Sequence, residues 1–198
     1  MEQAVNAFAQ LPGIGKKTAL RLVLHLMKQD PKSIIGFSES VTRLSDSIHY
    51  CSRCNNVADG PLCSICNQRS RNHQLICVVE NLRDLLAIEN TQQYNGSYHI
   101  LGGVISPVDG IGPDALAIDQ LLKRLQEEDI HEIVLALNPT IEGDTTAFYI
   151  SGQINKNNIQ VKLSSIARGI SFGGELEYTD EITLARSLAT RLPYNQDK

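Results

Sequence analysis

The sequence predicts an α/β protein assembled from several modules, and three observations carry that expectation. Two short unbroken apolar runs, Leu75-Ile76-Cys77-Val78-Val79 and Ile133-Val134-Leu135-Ala136-Leu137, read as strands buried on both faces, with a helical repeat between them. Four of the five cysteines crowd into residues 50–72, a polar stretch with too little apolar periodicity to build a core. The residues ahead of it follow a helical period instead.

Taken in order, the first helix stops near Pro12, and a second starts at Lys16 or Lys17. Ile34, Phe37, Val41, Leu44 and Ile48 then recur at alternating spacings of three and four, which places them on one helix face. After the cysteine stretch and the first buried strand, residues 114–127 form a helix that aligns Ile118, Leu121, Leu122 and Leu125. Residues 159–163 alternate apolar and polar and read as a more exposed strand. Strands separated by helices imply a mainly parallel sheet. Gly173-Gly174 opens a tail in which Thr179 or Asp180 caps a last helix running to about Arg191. The expected boundaries are residues 1–49, 50–73, 74–168 and 169–198.

Composition narrows the functional classes. The 198 residues are 42% apolar, ordinary for a globular protein, and the net charge is −4. Such a chain has no general basic coat for nucleic acid, yet the charge is uneven. Nine basic residues face five acidic ones up to Asn72, leaving −8 for the remainder. Contact with DNA is therefore expected to be local and N-terminal. Charged or amide residues interrupt every apolar stretch, so no membrane span is expected. The first ten residues lack the layout of a secretory signal, and the chain reads as cytoplasmic.

Cys51-x2-Cys54 and Cys63-x2-Cys66 are two knuckles separated by eight residues. Each places two sulfurs on one tight turn, and the pair completes the closed tetrahedral set of a structural zinc, one Zn2+ per chain. Asn55-Asn56 and Asp59-Gly60-Pro61 supply the turns. Two disulfides or a redox pair are the alternative, which an intracellular compartment disfavours. With all four positions filled by protein, no site remains for an activated water, so the metal is not catalytic. His49 and His73 flank the cluster as surface residues, and Cys77 belongs to a strand core.

The segment Leu11-Pro12-Gly13-Ile14-Gly15-Lys16-Lys17-Thr18-Ala19 links two helices. Gly13 and Gly15 permit a tight turn with exposed N–H groups, and the helix beginning at Lys16 turns its N-terminus toward an anion. Lys16, Lys17 and Arg21 add positive charge beside it, a site for a DNA phosphate. A nucleotide-binding P-loop fails here. Gln10 stands where its first glycine belongs, Lys17 where its hydroxyl belongs, and no strand precedes it. A plain structural turn is the other alternative. The segment resembles a helix-hairpin-helix motif, which implies a grip on the sugar-phosphate backbone without reading bases.

Glu80 follows the first buried strand and Asn138 the second, where parallel sheets collect functional groups. With Asn138-Pro139-Thr140-Ile141-Glu142-Gly143-Asp144, this region resembles the Toprim domain of topoisomerases and primases. That domain pairs a strand-end Glu with an Asp-x-Asp-x-Glu-Gly segment to bind Mg2+. Glu80 and Glu142-Gly143 match, but the two aspartates fall on Asn138 and Thr140, and neutral oxygens hold Mg2+ poorly. The resemblance therefore implies a Toprim scaffold without its catalysis, although Tyr149 stays open as a nucleophile. Solvated helix-start acids are the plainer reading of Glu80 and Glu142.

Helix-hairpin-helix, four-cysteine module, Toprim-like domain and Gly-rich tail, in this order, resemble the bacterial recombination mediator family RecR across essentially the whole chain. Ile166-Ala167-Arg168-Gly169 and the run from Gly173 to Leu184 resemble that family's C-terminal signature. The segment ahead of Leu11 is short for the family. The tail has been likened to a Walker B segment, but no Walker A partner accompanies it, so ATP hydrolysis is not expected. The resemblance implies a non-enzymatic role in recombinational repair, acting with RecO and RecF to load RecA at single-strand gaps. It also implies sequence-independent binding of single- and double-stranded DNA, and a dimer or tetrameric ring. Glu80, Glu142 and Asp144 would then form an acidic partner site. Two other classes stay open: a Mg2+-dependent Toprim nuclease or primase-like enzyme using those three acids, and a protein adaptor whose hairpin never meets DNA.

Overall fold

The computed structural model describes residues 1–47, 49–170, 172–191 and 193. Ile48, expected on a helix face, and the last five residues of the expected C-terminal segment lie outside the described residues. The chain divides into two compact units, Met1–Ile48 and His49–Lys198.

The first unit is helical: α1 (Glu2–Ala9), α2 (Lys16–Leu26) and α3 (Pro31–Ser47). The helix α1 forms although the segment before Leu11 is short. Asp30 caps the start of α3, its carboxylate accepting from the Lys32 and Ser33 backbone N–H groups at 2.9 and 3.1 Å. A hydrogen bond from the Ser33 hydroxyl, with those backbone bonds, holds its carboxyl below the usual range. Phe8 of α1 stacks on Phe37 of α3 with ring centroids 6.3 Å apart. The apolar stripe expected on α3 is present, but it is not buried: Phe37, Val41 and Leu44 are 47, 51 and 59% exposed. Period fixes which residues share a face, but not what covers them.

The second unit begins with a two-stranded antiparallel hairpin, β1 (His49–Tyr50) and β2 (Val57–Ala58), and the short α4 (Ser64–Asn67). Next come β3 (Asn72–Val79), α5 (Leu82–Asn90), β4 (Gly96–Ile100), α6 (Ile118–Glu127), β5 (Glu132–Leu135), α7 (Ile141–Lys156), β6 (Lys162–Ser165) and α8 (Glu181–Ala189). The four long-range strands make an all-parallel sheet in the order β4-β3-β5-β6. One face carries Ile76, Val78 and Ile133 under Leu121 and Leu125 of α6 and Ile150 and Ile154 of α7. The other carries Cys77, Val79, Tyr98 and Ile100 under Leu85 of α5. Covering on both faces explains the unbroken apolar runs.

Several expected bounds move, each for a local reason. The second buried strand ends at Leu135 rather than Leu137. The Ala136 N–H still reaches the Val78 carbonyl, but Pro139 has no N–H with which to extend a ladder. The helix expected over 114–127 begins only at Ile118, after a 3-10 turn at Pro113–Ala115. Ala117 is pinned to the neighbouring strand, donating to the Leu101 carbonyl and accepting from His99 Nε2, which stops the helix reaching further back. The edge strand runs over Lys162–Ser165, not 159–163. The Ile159 N–H is still bonded to Ile154 at the end of α7, and Asn158 turns the chain with φ 52°.

The sequence reading does not anticipate α5 and β4. The strand reads Gly-Ser-Tyr-His-Ile, and its two polar residues break the apolar run although all five are buried. Distant carbonyls take their donors instead: Ser97 Oγ donates to the Leu75 carbonyl at 3.1 Å, and His99 Nε2 to the Ala117 carbonyl at 2.7 Å. Gly96 is required there, because a Cβ would strike the Tyr94 ring and the Leu75 carbonyl.

Candidate nucleic-acid interface and metal centre

The hairpin between α1 and α2 is built by its glycines. Gly13 takes φ 80°, a left-handed conformation that suits glycine, and an Ile14 N–H bond to the Leu11 carbonyl closes the turn. Gly15 caps α2 in an extended conformation, and no side chain caps the helix with a hydrogen bond. Around both Gly13 and Gly15 a Cβ would meet nothing within 4 Å, so their backbone lies open to a large ligand. The first-turn N–H groups of α2 thus face outward beside exposed Lys16 and Lys17.

The inner face of α2 buries Ala19 and Val23. Its outer face carries Lys17, Arg21 and His25, which with Leu20, Leu24 and Lys28 just beyond the helix line a shallow groove of about 450 Å³. The helix Lys16–Leu26 has no acidic residue. Hence Lys17 and Arg21, expected from sequence, share a surface with His25 and Lys28, which the sequence reading misses. Their spacing of eight and eleven residues from Lys17 is the available signal.

The four cysteines of the second unit converge as their spacing requires. Their sulfurs all lie within 4.8 Å of one another, and all four residues are buried. Asn55 turns the first knuckle with φ 61°, letting its N–H bond the Cys51 carbonyl at 2.9 Å, while the Cys51 N–H bonds the Asn56 carbonyl at 2.7 Å. In the second knuckle Cys63 caps α4, its sulfur accepting from the Cys66 N–H at 3.4 Å.

Thiols this close compete for charge. Hydrogen bonds from Cys54 and Cys66 hold the Cys63 thiol well below its ordinary range, while Cys54, donating to Cys63 at 3.5 Å, is pushed well above it. A divalent soft-ligand cation relieves that competition. The donor set of four buried sulfurs fits zinc. His49 is exposed, as expected. His73 is half-buried, bonded to Arg53 Nη1 at 3.3 Å and the Gln68 carbonyl at 3.2 Å. Cys77 lies in the sheet core, where burial pushes its thiol up to about 12.

At the carboxyl end of the sheet the strand order reverses between β3 and β5, the crevice where doubly wound sheets place functional groups. Glu80 and Asn138 meet there, with Asn138 Nδ2 donating to Glu80 Oε2 at 2.9 Å. An amide thus occupies the carboxylate that a second carboxylate would repel in the absence of a cation. Thr140 is spent differently, its hydroxyl capping α7 by accepting from the Gly143 N–H at 3.0 Å. A Cβ on Gly143 would collide with the Asn138 carbonyl, so glycine lets the helix start close against the strand end.

Glu142 lies in the first turn of α7, and Asp144, one residue beyond Gly143, is turned to other use. Asp144 pairs with Arg168 at 2.6 Å and Arg186 at 3.7 Å, and the Arg168 hydrogen bond holds its carboxyl below the usual range. These pairs tie α7 to the loop after β6 and to α8, whose start Asp180 caps by accepting from the Thr183 N–H. Among the described residues, only the four cysteines bring three or more metal-ligating side chains within reach of one ion. Tyr149 is half-buried against the sheet core.

Comparison with known proteins agrees with these modules. Residues 1–48 match the family model for the RecR helix-hairpin-helix, and residues 48–67 that for the RecR four-cysteine zinc finger domain. Residues 74–166 match the Toprim domain, and residues 169–191 the RecR C-terminal region. The chain is 54% identical to Recombination protein RecR of Amoebophilus asiaticus, over 98% of the chain and 96% of that protein. It is 52% identical to that of Bacteroides fragilis, over 98% and 94%, and 53% identical to that of Flavobacterium johnsoniae, over 99% and 94%. No described helix is long and apolar enough to cross a membrane.

Proposed function

Because the chain belongs to the RecR family of recombination proteins, named for no catalysed reaction, we propose that it is a non-enzymatic mediator that grips DNA through the Gly13–Gly15 hairpin. The observation that carries this reading is the open, uncapped start of α2 with Lys16 and Lys17 beside it and Arg21, His25 and Lys28 continuing along one face. Backbone N–H groups and cationic side chains recognise phosphate, which every sequence offers, so binding is independent of sequence and extends to single and double strands. The family resemblance supplies the setting: action with RecO and RecF in the cytoplasm to load RecA at single-strand gaps.

One zinc per chain would be held by Cys51, Cys54, Cys63 and Cys66. It contributes folding energy and leaves no open coordination position for chemistry. The protein works as a dimer or tetrameric ring. The exposed α3 stripe supports association, for it lines with Ala7, Phe8 and Leu11 an apolar groove of about 340 Å³. Association also multiplies a weak phosphate contact by placing several hairpins on one duplex. Glu80 at the end of β3 and Glu142 in the first turn of α7 form the acidic surface offered to a partner protein, while Asp144 braces the C-terminal segment.

The test is incubation with labelled gapped DNA and Mg2+, read by native and denaturing gels together. Retarded DNA that remains intact is the expected result. Mg2+-dependent cleavage lost in Glu142→Ala would instead establish the enzyme, and an absence of binding by the assembled complex would establish the adaptor.

A further inference from the structure

The first cysteine knuckle is bolted to the parallel sheet by the residues between and beside its ligands. Arg53 lies between Cys51 and Cys54 and forms a two-pronged pair with Glu128 at the end of α6, Nε to Oε1 at 2.9 Å and Nη2 to Oε2 at 2.7 Å. Glu128 also accepts from Arg124 Nε at 3.1 Å. Arg124 is only 3% exposed, and it donates to the Tyr98 carbonyl at 2.8 Å and Ser97 Oγ at 3.0 Å, both in β4. Asn55 Nδ2 donates to the Ile100 carbonyl at 3.0 Å, and the Ile100 N–H donates to the Cys54 carbonyl at 2.9 Å. Gln120 Nε2 reaches the Ser52 carbonyl at 2.7 Å. The knuckle and the sheet belong to one compact unit.

The chain leaving Ile100 then holds the acidic rim. The Leu101 N–H donates to the Val79 carbonyl at 3.0 Å and the Gly102 N–H to the Glu80 carbonyl at 2.9 Å. We infer that Arg53 and Asn55 are positioning residues that couple the metal site to this rim, so that zinc occupancy sets the order of residues 100–102 and thereby of Glu80. The inference rests on the zinc reading above. The physical warrant is a contiguous set of short bonds, charge-assisted from Arg53 through Glu128 and Arg124 to β4, with neutral amide bonds from the knuckle through Ile100 to the Glu80 carbonyl. A guanidinium pair of this geometry, left with one partner, exposes Glu128 and the buried Arg124 to an incomplete network.

The test uses the full-length protein as isolated, with zinc content measured first. Absence of zinc would overturn the zinc reading and the inference with it. With one zinc per chain confirmed, amide exchange is followed in the wild type and in Arg53→Met with Asn55→Gly, glycine keeping the left-handed turn. Exchange at residues 100–102 is expected to be about tenfold faster in the variant, with the β5–β6 pairing unaffected. Zinc release to a chromogenic chelator is expected to accelerate by about the same factor, with Arg53→Lys intermediate because it keeps the charge and loses the fork. Unchanged protection at 100–102, or unchanged release, with zinc fully bound would overturn the coupling and leave the zinc reading intact.

Discussion

The two units of this protein reach order by opposite means. His49–Lys198 wraps both faces of a parallel sheet and contains all but two of the buried apolar side chains among the described residues. Met1–Ile48 contributes only Ala19 and Val23 to that set, although it carries three helices and as regular an apolar period as any in the chain. So small a segment cannot offset its conformational entropy with two buried side chains. Its exposed Phe37, Val41 and Leu44 mark the apolar face that the proposed association would cover. The sheet unit is a scaffold that stabilises itself. The helical unit is a surface shaped by a hairpin.

The largest effect that could break this contrast concerns the metal. Cys63→Ser removes one of four converging sulfurs, and a structural zinc contributes on the order of 10 kcal/mol. Metal analysis and thermal melting should show zinc lost and the main transition collapsed or soluble protein absent. One zinc per chain retained by the variant would contradict four-thiolate ligation.

A matched pair of truncations sharpens the contrast. Leu121→Ala, fully buried between sheet and helix, should cost about 3 kcal/mol in denaturant unfolding. Leu44→Ala, 59% exposed, should cost less than about 0.5 kcal/mol at the same transition. In sedimentation, however, Leu44→Ala should shift the association equilibrium toward smaller species. Equal costs in unfolding would mean that the helical unit is buried in its own right.

Protonation probes the scaffold alone. His99 is buried in β4, its Nδ1 has no partner among the described atoms, and burial lowers its pKa from 6.5 to about 4. The unfolded chain takes up that proton below pH 6.5 whereas the folded chain resists it until about pH 4. Stability is therefore intact above 6.5 and falls as pH drops between those values. By pH 5 the loss from this group is about 2 kcal/mol. In urea titrations His99→Gln, which keeps a donor for the Ala117 carbonyl, should flatten the slope between pH 7 and 5. An unchanged slope would assign it to other groups.

Much of this is legible in the sequence, and the exceptions follow from physics. The cysteine spacing, the glycine hairpin and the two apolar strands announce themselves, because each depends on residue type at fixed local separation. Strand β4 does not, since Ser97 and His99 look solvent-bound until Arg124, Leu75 and Ala117 supply partners from distant parts of the chain. The Toprim resemblance groups Asp144 with Glu80 and Glu142, but the fold turns it toward Arg168 and Arg186, two residues a local reading cannot bring to it. Conversely, periodicity places the α3 stripe on one helix face but does not say whether the chain itself covers that face.

The measurement that bears most directly on the account is the salt dependence of binding to gapped DNA, followed by fluorescence anisotropy for the wild type and for Lys16→Glu with Lys17→Glu. Removing two cationic partners of phosphate should weaken binding on every sequence tested and lower the slope of log affinity against log salt by about 2 per hairpin engaged. A variant that binds with wild-type affinity and an unchanged slope would show that the hairpin does not hold the DNA.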